Sequence, residues 1–200
     1  MSNQEVYSGL GLPDTAFIRG QVPMTKREVR VLTLAQLRLQ PRQVVWDVGA
    51  GTGSLSIEAA LSVPSSQVYA IERNPEGVEL LQQNSQRFGT DNLSVVAGKA
   101  PVALSALPQP QRVIVGGSGG QLAEILAYCG ERLTPGGVLV VNVLTPQNMV
   151  RTLELLSARP FTNRDGLYVQ TARLKKLGRE DYFQAQNGVW IISAQKEEKK

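Results

Sequence analysis

Short apolar runs recur along the chain, each followed by a stretch where apolar residues return every three or four positions. The runs are Val44 to Val48, Gln67 to Glu72, Asn92 to Ala97, Arg112 to Val115 and Val138 to Leu144. Their length and near-continuous hydrophobicity predict buried parallel strands. Helices are predicted first through Val29, Leu32 and Leu37, stopping before Pro41, and then over Leu55 to Ala60. Three more are predicted, over Pro75 to Phe88, Gln121 to Leu133 and Pro146 to Ser157. Pro75 suits a first helical turn, and Gly89 is the matching stop. Beyond Ser157 the period changes to two. Gly166 to Arg173 and Val189 to Ala194 read as antiparallel strands joined by a basic loop. Five strand–helix units and a terminal hairpin predict an α/β, Rossmann-like sheet of seven strands with an antiparallel terminal strand.

The first strand–helix junction is where chemistry enters the pattern. Val48 runs into Gly49-Ala50-Gly51-Thr52-Gly53-Ser54, a turn with glycine at every second position. Such a turn lets a ligand touch the main chain, and the helix after it presents unpaired N–H groups. Ser54 stands where a dinucleotide fingerprint wants its third glycine. Asp47, one residue before the strand ends, would repel a pyrophosphate and welcome an ammonium group. Glu72 ends the second strand 19 residues after Gly53, where a carboxylate can accept both hydroxyls of a ribose. An ammonium partner and a ribose partner together favour S-adenosylmethionine over a dinucleotide. Taken alone, Asp47 reads equally well as a turn or capping acid; in order with the three glycines and Glu72 it does not. The sheet is then that of the class I S-adenosylmethionine-dependent methyltransferases.

Composition narrows the picture further. Two hundred residues, 42% hydrophobic and 19% charged, suit one globular domain over 1–200. Residues 1–40 are expected as a lead-in and helix, and 196–200 as a frayed tail. No run approaches the roughly 18 apolar residues of a membrane span, and Met1 to Leu10 lacks a basic start and an apolar segment. The expectation is a cytoplasmic protein. A single cysteine, Cys129, excludes an internal disulfide and a multi-cysteine metal site, and no metal is expected. Histidine is absent, which removes the commonest general base. The net charge is +4, with basic residues gathered at Arg173, Lys175, Lys176 and Arg179. They read as a solvated face, or as an attractor for an anionic substrate, either RNA or a small polycarboxylate.

Three further segments bear on the site. Thr25 and Glu28 have capping-box spacing, so Thr25 reads as an N-cap that could also touch a ligand beside the glycine turn. Gly98-Lys99-Ala100 follows the third strand, where this fold commonly has an acid to accept from an adenine amine; Lys99 cannot accept. Gly116-Gly117-Ser118-Gly119-Gly120 follows the fourth strand in place of the Asn/Asp-Pro-Pro-aromatic segment of amino-group methylases. These glycines leave room and bare N–H groups for a large substrate.

On these residues the chain resembles the decarboxylating cobalt-precorrin-6B C15-methyltransferases of cobalamin synthesis, and is similar to the C-terminal half of the fused precorrin-6Y methylase. The likeness covers nearly the whole chain. It rests on Gly11 to Asp14 with Phe17, Val22 to Arg30, Trp46 to Gly53, Tyr69 to Pro75, Gly116 to Gly120 and Ala185 to Asn187. It implies S-adenosylmethionine as cofactor, held by Thr25, Gly49, Ala50, Gly51, Thr52, Gly53, Glu72 and Ala100. It also implies methylation of C15 of a tetrapyrrole with loss of carbon dioxide from the C12 acetate. Arg19, Lys26, Arg27 and the Arg173–Arg179 segment would orient substrate carboxylates. The resemblance further implies a homo-oligomer, a tetramer, with the C5-methyltransferase of the same pathway as a natural companion and no nucleic acid or membrane as partner. The sequence names no catalytic acid or base. Two positions depart from the family pattern: Lys99, where an acid is usual, and Gly188, where proline is common; the latter is expected to alter only a turn. An RNA methyltransferase of the same fold is the alternative, and a non-catalytic cofactor-binding partner a third class.

Overall fold

A computed structural model describes residues 9–158 and 160–198. Nine strands and five α-helices follow one another in it: α1 (Arg27–Leu37), β1 (Val44–Val48), α2 (Ser54–Ser62), β2 (Gln67–Glu72), α3 (Pro75–Phe88), β3 (Leu93–Ala97), β4 (Arg112–Val115), α4 (Leu122–Arg132), β5 (Val138–Val143), α5 (Pro146–Ser157), β6 (Phe161–Val169), β7 (Ala172–Leu177), β8 (Glu180–Ala185) and β9 (Val189–Lys196). Seven strands form one sheet in the order β3-β2-β1-β4-β5-β9-β6. Pairing is parallel from β3 through β5, and β9 is antiparallel to both of its neighbours. This is the class I methyltransferase sheet that the periodicity predicts.

Because side chains alternate along a strand, the sheet sorts its residues into two cores. Val45, Val68, Ile114 and Val140 pack with Leu34 and Leu37 of α1, Ile57 of α2 and Leu81 of α3. Trp46, Val48, Val113 and Leu139 pack on the opposite face with Leu126 of α4 and Leu156 of α5. The cysteine belongs to the second core: Cys129 is fully buried, and burial pushes its thiol up to about 12.

Three elements differ from expectation. Helix α1 starts at Arg27, and its cap residue is Lys26, without a side-chain cap. Asp14, 13 residues earlier, accepts from the Arg27 N–H instead, at 3.0 Å, so Thr25 caps nothing and Glu28 is free for other partners. The basic stretch is no loop. Backbone pairing stops at Val169 and resumes as a hairpin arm, β7 against β8, turning at Gly178 with φ 62°. Three charges to two leucines in Arg173-Leu174-Lys175-Lys176-Leu177, with Lys175 and Lys176 adjacent, break the period-two pattern and conceal that strand. Finally, the expected frayed tail begins too early. Lys196 is the last residue of β9, its N–H donating to the Gly137 carbonyl and its carbonyl accepting from Gly136 N–H. Lys199 and Lys200 lie outside the described residues.

Candidate active site

The strand order reverses at β1, which has β2 on one side and β4 on the other, and a crevice opens beyond the carboxyl ends of β1 and β4. Gly49 and Gly117 meet there main chain to main chain. Gly49 is left-handed at φ 74°, and a Cβ on it would stand 2.4 Å from the Gly117 carbonyl oxygen. A Cβ on Gly51, φ 58°, would come within 3.2 Å of the Pro23 carbonyl. The segment from Val22 to Thr25 thus lies as a strap across the glycine turn.

Two hollows share Pro23, Gly49, Gly51 and Gly116. The first, about 280 Å3, is lined by Thr25, Lys26, Asp47, Ala50, Asn142 and Asn187, among others. The second, about 250 Å3, is lined by Glu72, Arg73, Lys99, Ala100 and the Gly116–Gly119 loop. A larger groove of about 750 Å3 runs between α5 and β6 and contains none of the expected site residues.

Asp47 forms part of the first hollow with only 1% of its surface exposed. One carboxylate oxygen, Oδ2, accepts from the Ser56 hydroxyl; the other, Oδ1, is buried with no partner among the described residues. Burial pushes its pKa up to about 6, against the Ser56 hydrogen bond and with a smaller upward push from the charge of Glu72. A buried carboxylate oxygen with no donor is costly, and an ammonium group answers that need. Glu72 is pinned at the end of β2. Its Oε2 accepts from Gly51 N–H at 2.8 Å, and its Oε1 from Arg73 N–H and Asn74 N–H at 2.8 and 2.7 Å.

The eight expected cofactor residues divide. Thr25, Gly49, Ala50 and Gly51 line the first hollow, and Gly49, Gly51, Glu72 and Ala100 the second. Thr52 and Gly53 line neither. Thr52 is 1% exposed, with its carbonyl taken by the Asn84 amide at 3.0 Å. A Cβ on Gly53 would press against Leu81 at 2.8 Å, so this glycine lets α2 pack on α3. Lys99 is exposed at the rim of the second hollow, and no acid stands beside Ala100. Gly188 affects more than a turn: a Cβ there would lie 1.9 Å from the Tyr168 hydroxyl, so the ring of Tyr168 occupies the space a proline would need.

A buried arginine fixes the strap. Arg30 has no exposed surface; its Nε donates to Glu58 Oε1 at 2.7 Å, and its Nη1 to Asp14 Oδ1 at 2.8 Å and the Thr25 carbonyl at 2.6 Å. The other Nη reaches the Leu12 carbonyl, while Glu58 also accepts from Gly11 and Leu12 N–H. The hairpin arm joins the same group, since Arg173 lies 2.7 Å from Glu28 and 3.9 Å from Asp14. Arg173 therefore anchors the arm to α1 rather than standing free for a substrate carboxylate.

Asn142, Gln186 and Asn187 also line the first hollow and were not expected as site residues. Asn142 had a signal: it is the one polar residue in the otherwise apolar run Val138 to Leu144. Thr33 of α1 holds its amide, accepting at 3.0 Å. Gln186 and Asn187 had no signal apart from the family likeness, because they meet the site only once β9 folds back beside β5.

The chain is similar to known proteins along nearly its whole length. Residues 8–196 match the family model described as precorrin methyltransferase domain. The chain is 42% identical over 188 residues to the cobalt-precorrin-6B C(15)-methyltransferase (decarboxylating) of Salmonella typhimurium, covering 94% of this chain and 97% of that one. Among solved structures, precorrin-6Y C5,15-methyltransferase from Geobacter metallireducens superposes with a TM-score of 0.90 at 38% identity, covering 95% and 100% of the two chains. Precorrin 8W decarboxylase from Methanobacterium thermoautotrophicum gives 0.86 at 35% identity, covering 92% and 98%.

Proposed function

The chain belongs to the precorrin methyltransferase family, and from that premise we propose that it methylates C15 of cobalt-precorrin-6B and removes carbon dioxide from the C12 acetate, as a cytoplasmic enzyme of cobalamin synthesis. The observation that carries the cofactor reading is the pair of carboxylates, Asp47 and Glu72, on either side of the Gly49–Gly51 turn. In this reading Asp47 Oδ1 takes the ammonium group of S-adenosylmethionine, and Glu72 accepts from the ribose hydroxyls. Gly49, Ala50 and Gly51 present bare main chain between them, Thr25 closes the strap over the first hollow, and Ala100 borders the purine. Lys99 leaves the adenine amine to backbone carbonyls or water.

The bound sulfonium supplies an electrophilic methyl group. The chain's own contribution is to align it with an electron-rich ring carbon and to exclude water, which needs no histidine or thiolate. The Gly116–Gly119 loop keeps the approach to the shared rim open for a macrocycle. No observation favours RNA over a small polycarboxylate: Arg173 is held by Glu28, and Lys176 lies 3.9 Å from Asp181.

The same reading includes a homo-oligomer, tetrameric by resemblance, assembled through the hairpin arm, with the C5-methyltransferase as a companion. Leu174 and Phe183 face each other across β7 and β8 and are 59% and 71% exposed, an apolar pair that the described residues leave largely uncovered. A two-stranded hairpin is marginal by itself, and a second copy would both cover and brace it.

The test is turnover of cobalt-precorrin-6B with S-adenosylmethionine, read by mass spectrometry of the tetrapyrrole. One methyl gained and one carbon dioxide lost is the expected product. Methyl gain alone would reduce the reading to a methyltransferase, and no change would overturn it.

A further inference from the structure

Among the described residues that line the first hollow, two carry ionisable side chains, Asp47 and Lys26. The cations around Lys26 are engaged: Arg27 with Glu28, Arg30 with Glu58 and Asp14, Arg173 with Glu28 and Asp14. Lys26 is half-buried and has no ion-pair or hydrogen-bond partner for its ammonium among the described residues. Its backbone is fixed at both sides. The Lys26 carbonyl accepts from Arg30 N–H at 2.9 Å, and the Thr25 carbonyl before it is held by the Arg30 guanidinium. A lysine that lines the hollow from a fixed stretch of backbone, its ammonium without a partner among the described residues, is placed to act on a ligand.

Resting on the reading above, the chemistry needs one proton on carbon. When the acetate loses carbon dioxide, the bond between its methylene carbon and its carboxylate breaks, and the electron pair passes into the conjugated ring. The pair returns to the methylene carbon as a C–H bond forms, giving a methyl group. The chain has few donors for that proton. It has no histidine, and Cys129 is buried on α4 with its thiol pushed up to about 12. Asp47 is covered, bound to Ser56, and matched to the cofactor ammonium.

We propose that Lys26 is the proton donor of the decarboxylation: its ammonium approaches the acetate-bearing edge of the macrocycle and delivers a proton to the methylene carbon. The N–H electron pair remains on Nζ as a free amine, which water reprotonates before the next turnover. No oxidant or reductant is involved.

The test measures carbon dioxide release from carboxyl-labelled cobalt-precorrin-6B by the wild-type protein, Lys26→Ala and Lys26→Arg, each first checked for an unchanged melting profile. Release is followed over many turnovers, because an enzyme left holding the unprotonated intermediate cannot begin the next one. General acids commonly contribute about 10²–10⁴-fold, so Lys26→Ala should lose at least about 100-fold. Ethylammonium added to that variant should restore release in proportion to its concentration. Tetramethylammonium, equally charged but without an N–H, should not. Lys26→Arg, which keeps the charge but scarcely gives up a proton, should stay low. The proposal is overturned by a Lys26→Arg variant as fast as wild type, by equal rescue from both cations, or by a Lys26→Ala variant within about threefold of wild type. Failure of the substrate reading would look different: the wild-type protein itself would release nothing.

Discussion

Arg30 and Glu58 form an ion pair at 2.7 Å in which neither side chain has any exposed surface. The pair joins α1 to α2, and through the Thr25 carbonyl it also sets the strap over the glycine turn. Removing one member of a buried pair strands the other charge, at a cost of about 3–5 kcal/mol. Glu58→Gln should therefore lower the urea-unfolding free energy by about 3 kcal/mol. It should also weaken S-adenosylhomocysteine binding measured well below the midpoint, because the strap loses its support. Loss of stability with unchanged affinity would leave the pair a purely structural one.

Asp47 links the site to pH. An unfolded aspartate titrates near 3.8, whereas the folded one titrates near 6. Between those values the folded chain keeps a proton that the unfolded chain has released, so stability falls as pH rises through the window and the deficit is complete above about 6. Asp47→Asn removes the buried charge, and thermal melts at pH 7.5 should show a gain of about 1–3 kcal/mol for the ligand-free protein, shrinking to nothing near pH 4. Cofactor affinity should change in the opposite sense. If ionised Asp47 receives the ammonium, the dissociation constant for S-adenosylhomocysteine should rise about tenfold per pH unit below 6 in the wild-type protein. Calorimetry between pH 5 and 8 would read this directly, and a flat profile would break the pairing of Asp47 with the ammonium.

Gly49 tests the contact between the β1 and β4 loops. A methyl group at position 49 meets both a left-handed backbone and the Gly117 carbonyl, and neither main chain has a flexible end to move aside. Gly49→Ala should lose S-adenosylhomocysteine binding by 100-fold or more in calorimetry while its far-ultraviolet spectrum still reports the sheet. Gly120→Ala is the control: it shares a positive φ of 88° but has nothing within 4 Å of its Cβ. It should show only a modest loss of stability.

How much of this was legible in the chain depended on range. The parallel strands and their helices follow from local periodicity, so Val44–Val48, Arg112–Val115, Pro75–Phe88 and Pro146–Ser157 end where the pattern ends. The glycine turn and Glu72 were legible as well, since they fall at fixed offsets from the first strand. The strap was not. Its geometry comes from Arg30 reaching Asp14, Thr25 and Glu58, partners 5 to 28 residues away that no local spacing marks. Thr25 was misread as a cap for the same reason, because Asp14 caps the helix from a distance. Thr52 and Gly53 share a motif with true lining residues but turn into the α2–α3 packing, a distinction visible only once Leu81 and Asn84 are in place. The arm was hidden by composition, because Arg173 and the adjacent Lys175 and Lys176 interrupt the alternation that marks a strand.

The arm supplies the remaining prediction. Leu174 and Phe183 form a directly opposed apolar pair on the face of the hairpin away from Arg173, and Leu177 and Tyr182 add further exposed apolar surface. Arg173 fastens the base of the arm to Glu28 on α1, so the exposed pair is held out at a set position instead of collapsing onto its own chain. Such a surface gains by covering itself with the same surface of another copy, and symmetry makes one favourable contact count at every interface. Phe183→Asp puts a charge where that contact would form, without touching either hollow. Sedimentation velocity should show the wild-type protein as an oligomer and Phe183→Asp shifted to monomer at micromolar concentration. S-adenosylhomocysteine binding should survive the change, because neither Leu174 nor Phe183 lines either hollow. A variant that keeps the wild-type sedimentation coefficient would move the interface elsewhere, and the groove between α5 and β6, with Leu153, Tyr168 and Trp190 along it, would then be the next surface to charge.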